Sequence, residues 1–97
     1  MIVVRDVFHL KFGKAKEAKT LIKEGLEINK NFGVSRKAMM DLVGKAYTLV
    51  LESEFKSLTD FENEMKDTFS KPEWGAWYQR IIPLIDNSYR EIFTLVE

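Results

Sequence analysis

Apolar and polar positions follow two different periods along the chain, and each change of period marks an element boundary. Residues 2–12, IVVRDVFHLKF, alternate with period two. Val4, Asp6, Phe8, Leu10 and Phe12 share one face, and Val3, Arg5, Val7, His9 and Lys11 the other. The first face is nearly all apolar and the second is mixed, so the two meet different neighbours. Gly13 ends this strand. Over 14–31 the period becomes helical, with Ala15, Ala18, Leu21, Ile22, Gly25, Ile28 and the following Phe32 in one stripe. Lys14, Lys16, Lys19, Lys23 and Lys30 lie outside it, interleaved with Glu17, Glu24 and Glu27, as on a solvated helix face. Mid-helix Gly25 costs about 1 kcal/mol against alanine, which implies a close approach to the sheet. Gly33 stands where a C′ glycine would end the helix.

A second strand is expected at 36–43, with Met40 and Leu42 on one face and Met39, Asp41 and Val43 on the other. Gly44-Lys45 reads as a two-residue type II′ hairpin turn. In the third strand Tyr47, Leu49 and Leu51 alternate with Thr48, Val50 and Glu52, and the pattern stops at 54–56. Ser57 and Asp60 stand in N-cap and N3 relation, followed by Leu58, Phe61, Met65 and Phe69 at helical spacing. Ser70-Lys71-Pro72-Glu73 offers another cap, opening a shorter helix with Trp74, Trp77, Tyr78, Ile81 and Ile82. Pro83 either kinks or ends that helix. Asp86-Asn87 reads as a turn into a last strand, SYREIFTLVE.

The order is therefore β-α-β-β-α-β with an extra short helix before the last strand. That is an α+β, ferredoxin-like arrangement, expected as one domain over residues 1–97. Its helices can cover only one face of the sheet. The face with Phe8, Leu10 and Phe12 is expected to be theirs, which leaves Val3, Val7, Val43 and Val50 on the other. An apolar patch of that kind marks an interface, and the same face of a second copy covers it most simply. The expected partner is thus a second copy, in a homodimer joined through the sheet face opposite the helices. Arg5, His9 and Glu52 would then line a mixed-polarity interior.

Lys+Arg and Asp+Glu balance at 15 each, which argues against a general nucleic-acid or anionic-membrane binder. The absence of cysteine excludes disulfides, thiolate metal sites and cysteine nucleophiles. No apolar run reaches membrane-spanning length, the opening residues carry no leader-like pattern, and the expected location is cytoplasmic.

Three stretches carry a family likeness: VVRDVFHLKFGKAKEA, LVLESEFKSLTDFENEM and PEWGAWYQRIIPLIDNSYREIFTLVE. Together they cover nearly the whole chain. The chain resembles the dimeric α+β barrel superfamily, in particular its NIPSNAP-like branch and the small antibiotic-biosynthesis-type monooxygenases. The resemblance implies a fold and a homodimer. It leaves activity open, since members range from oxygenases and isomerases to proteins with no assigned activity. Haem-degrading relatives carry a helix-borne histidine with a partnering Asn and Trp. Here the one histidine, His9, falls on a strand, and no cofactor is expected.

Two function classes follow. In the first, a small aromatic or enol-like molecule binds in the cavity between sheet and helices, held by a binding protein or a cofactor-independent monooxygenase or isomerase. The alternative is a non-catalytic self-association or partner-binding module. A cavity of about 300 Å³ or more with converging polar groups separates the two. The candidate site is bounded by the first and third strands. His9 is its acid–base candidate, because only histidine titrates near neutrality unperturbed. The competing reading makes His9 structural. Arg5, Thr48 and Glu52 stand beside it as ligand-binding candidates, and Tyr47, Trp74 and Trp77 as wall or lid. Asp41, Glu52 and Glu54 with His9 lack ligand spacing, so no metal is expected.

Overall fold

The computed structural model describes residues 1–97. β1 (Ile2–Leu10) leads into α1 (Ala15–Asn31), β2 (Lys37–Met40), β3 (Thr48–Phe55), α2 (Leu58–Phe69) and α3 (Pro72–Ile81). A 3-10 turn (Ile82–Leu84) then delivers the chain into β4 (Ile85–Thr94). The strands form one antiparallel sheet in the order β2-β3-β1-β4, the ferredoxin-like arrangement with the extra helix α3 in the expected place.

Local chemistry explains most of the boundaries. The Ser57 hydroxyl accepts a hydrogen bond from the Asp60 amide at 3.2 Å, so the expected N-cap of α2 is made. α1 closes in a Schellman turn. Val34 N–H donates to the Asn29 carbonyl at 2.8 Å and Gly33 N–H to Lys30 at 3.0 Å, with Gly33 at φ +82°. Pro83 ends α3, and its rigid φ suits the tighter 3-10 turn.

Several expectations are corrected. The β2–β3 link is no two-residue turn: β2 stops at Met40 and β3 starts at Thr48. Asp41 folds back inside this loop, its carboxylate accepting from the Thr48 amide at 3.0 Å. Leu42 and Val43 are consequently 95% and 93% exposed, and Val43 does not belong to the sheet face. Ser70 caps the end of α2 and not the start of α3, its hydroxyl donating to the Asp67 carbonyl at 2.6 Å. Asp86-Asn87 is no turn, because β4 already pairs with β1 there, with a register shift between His9 and Leu10. Phe12 lies past the end of β1 and is 89% exposed, its ring tilted against that of Tyr47 at 5.2 Å between centroids.

Gly25 permits a close approach, but to a helix and not the sheet. A Cβ there would lie 2.6 and 2.7 Å from the Cζ2 and Cε2 atoms of Trp77 on α3. The indole lies across α1 at this point, and its Nε1 donates to the Leu21 carbonyl at 2.6 Å. Ala18, Leu21 and Ile22 of α1, Leu49 and Leu51 of β3, Leu10 of β1, and Trp74, Trp77, Ile81 and Leu84 make one continuous core.

Only one sheet face is covered. The molecule measures 37 × 34 × 19 Å, the thickness of one sheet and one helical layer. Strand register arranges the outer face in rows. Met39, Val50, Val7 and Tyr89 stand side by side across all four strands. The next row reads Lys37, Glu52, Arg5, Glu91.

Candidate functional site

The helical layer does not fill the space above β1 and β4. A cavity of about 580 Å³ opens there, between the inner face of the sheet and helices α2 and α3. Its apolar walls come from Phe8 and Leu51 on the sheet, Met65 and Phe69 on α2, and Trp74, Trp77, Tyr78 and Ile81 on α3. Aromatic packing sets the wall on the α3 side. Trp74 lies 4.8 Å from Trp77, 6.3 Å from Phe69 and 6.4 Å from Tyr78 between ring centroids. Trp77 is fixed in turn by its hydrogen bond to α1.

Asp6, Arg36, Arg90 and Ser88 place polar groups in this apolar setting. Asp6 and Arg90 are direct neighbours in the β1–β4 register, and both point to the helix side. Arg90 Nε donates to Asp6 Oδ1 at 2.6 Å, while the Arg90 guanidinium also lies 5.2 Å from the Phe61 ring centre. The Asp6 side chain is 13% exposed, so this ion pair is partly desolvated. Arg36 enters from the link between α1 and β2. Its Nε is buried and has no hydrogen-bond partner, and Nη2 meets only the Met65 sulfur, at 3.8 Å. Burial lowers the Arg36 pKa from its ordinary value. Asp6 and Glu64 oppose that shift and Arg90 adds to it.

The sequence-predicted site residues divide between two places. Trp74 and Trp77 line the cavity. Arg5, His9, Thr48 and Glu52 lie on the outer face as two pairs set apart by Val7 and Val50: Arg5 Nε stands 3.6 Å from Glu52 Oε2, and His9 is flanked by Thr48 and Asn87. Tyr47 precedes β3 with φ +61°, packed on Phe12 and against the core, and does not line the cavity. No cluster of three His, Asp or Glu side chains is arranged to hold a metal ion. Asp6 and Arg36 are charged cavity residues that sequence reasoning did not single out. A signal existed for Asp6, the one charge on the Val4–Leu10 face of β1.

Comparison with solved structures places this architecture. An uncharacterised NIPSNAP domain protein from Burkholderia xenovorans superimposes with a TM-score of 0.91 at 16% identity, over 99% of this chain and 95% of that one. A NIPSNAP family protein from Agrobacterium tumefaciens gives 0.92 at 20% identity, over 99% and 93%. The fold is that of the NIPSNAP proteins. A protein described as a candidate antibiotic biosynthesis monooxygenase, from Nitrosomonas europaea, shares the NIPSNAP-like fold with a TM-score of 0.78. It is 12% identical and both chains are covered completely. No family profile matches the sequence, and neither does any curated protein. No helix is long and apolar enough to cross a membrane.

Proposed function

We propose that this NIPSNAP-like chain is a small-molecule-binding homodimer, and that its ligand, an aromatic or enol-like molecule, occupies the cavity between sheet and helices. The cavity itself carries the reading. Its 580 Å³ lies well inside the range of small-molecule sites, about 300–1,000 Å³, with apolar walls and a few converging polar groups. A module serving only self-association has no need of such a space. The aromatic wall of Trp74, Tyr78 and Phe69 suits a flat ring. Isomerisation, or oxygenation in which dioxygen is the oxidant and the enolate or phenolate supplies the electrons, is the cofactor-independent chemistry open to such a ligand. The candidate monooxygenase of the same fold is consistent with this.

A second copy supplies the missing layer. The row Met39, Val50, Val7 and Tyr89 is an apolar strip on a face with nothing packed over it. Pairing through it would enclose Arg5, His9, Thr48 and Glu52, and there His9 remains the acid–base candidate.

Gly75 makes the cavity testable. It lines the cavity from α3, and a Cβ added there meets nothing within 4 Å. Gly75→Phe should project a ring into the space without straining the helix. Calorimetry with bicyclic aromatic carboxylates, amides and phenols should show binding to the parent and at least about a tenfold loss in the variant, comparable to 1.4 kcal/mol. Equal binding by both proteins would place the ligand elsewhere and refute the assignment.

A further inference from the structure

Resting on the cavity reading above, we infer that the ligand is an organic anion, its carboxylate or enolate oxygen taken by the guanidinium of Arg36 while its ring lies against Trp74. The two arginines of the cavity differ in what they already hold. Arg90 is committed: its Nε donates to Asp6 at 2.6 Å and its face lies over Phe61. Arg36 is not. Its buried Nε faces no acceptor, and a thioether sulfur is the one side-chain partner of Nη2. Nε is closed off from the cavity, so an acceptor there reaches this guanidinium through its Nη groups, which hold no carboxylate; a largely buried guanidinium without an acid partner lacks the pairing such donors almost always have.

Charge points the same way. Asp6 is answered by Arg90, and Glu64 accepts a hydrogen bond from the Thr68 hydroxyl at 3.2 Å. Neither acid lies within ion-pair distance of Arg36. An incoming planar anion would gain charge-assisted hydrogen bonds from the fork of Arg36, and a neutral molecule of the same shape would not.

The test compares 2-naphthoate with 2-naphthamide, which match in shape and differ in charge. Calorimetry on the full chain should find the carboxylate at least about tenfold tighter, as expected for an ionic against a neutral hydrogen bond. Arg36→Met keeps the apolar stem and removes the charge. It should erase the preference while leaving naphthamide binding in place. Arg36→Lys, which lacks the planar fork, should keep only part of the preference and serves if the methionine variant misfolds. Unchanged naphthoate affinity in both variants overturns the assignment of Arg36. Equal affinity of the parent for the two probes, still blocked by Gly75→Phe, would sink the anion inference and leave the cavity reading intact. No binding of either probe at millimolar concentration would count against both.

Discussion

Replacing Gly25 by alanine should destabilise this protein, against the usual rule for an exposed helix. On propensity alone the change would stabilise α1 by about 1 kcal/mol. The new methyl carbon, however, would stand 2.6 and 2.7 Å from two indole carbons of Trp77. Something must move, and the indole is held by Trp74 on α3 and tied to α1 itself by its bond to Leu21. Overpacking of this kind costs roughly 1–3 kcal/mol. Leaving the buried indole N–H unpaired would cost a further ~1–3 kcal/mol. The net loss is about 1–5 kcal/mol, and each kcal/mol lowers the melting temperature by about 4–8 °C in a domain of this size. Thermal denaturation followed by circular dichroism reads this directly. In a Trp77→Phe background the obstructing ring edge and its N–H are gone, so the same Gly25→Ala step should become neutral or stabilising by up to ~1 kcal/mol. A higher melting temperature for Gly25→Ala in the parent would refute the account of the α1–α3 contact.

Two further outcomes are expected. Ser57→Ala removes the hydroxyl that accepts from Asp60 N–H and should cost about 1 kcal/mol in urea unfolding without changing the slope; a stability equal to the parent's would show the cap to be dispensable. Val7→Asp puts a charge in the middle of the apolar row and should turn a dimer into a monomer by light scattering, whereas a parent already monomeric at micromolar concentration would remove the basis for sheet-to-sheet pairing.

Much of the architecture was legible because it rests on local period. The alternation in β1, the stripe of α1 and the Ser57 cap all act over a few residues, and all three appear where expected. What misled was punctuation whose meaning depends on tertiary pairing. Ser70 and Glu73 have the spacing of a cap, yet the Ser70 hydroxyl is already taken by the carbonyl of Asp67. Asp86 and Asn87 favour turns in isolation, but the available edge of β1 draws them into the ladder. A cavity between sheet and helices was expected, but its charged lining lay beyond sequence reasoning for a similar reason. Arg36 opens the strand expected at 36–43 but sits just ahead of β2 in the link from α1, and its burial arises only once α2 packs alongside, bringing Met65 against it. Asp6 could have been read. An acid on an otherwise apolar strand face needs a partner, and the register with β4 supplies Arg90 opposite it.

The row Lys37, Glu52, Arg5, Glu91 runs cation, anion, cation, anion across the open face. Such a row is its own complement when turned end over end, much as a palindromic word of base pairs is. Laid against a reversed copy, Lys37 meets Glu91 and Glu52 meets Arg5 twice over; laid in the same sense, every charge meets its like. In a pair of copies joined through this face, the row would therefore set orientation as well as provide a surface to cover, and that preference would fade with ionic strength. Symmetry also doubles any error in the text. Reversing the one charge of Arg5 would spoil two contacts in each pair, so a single codon could make the face reject its own kind and accept only a copy with the matching reversal.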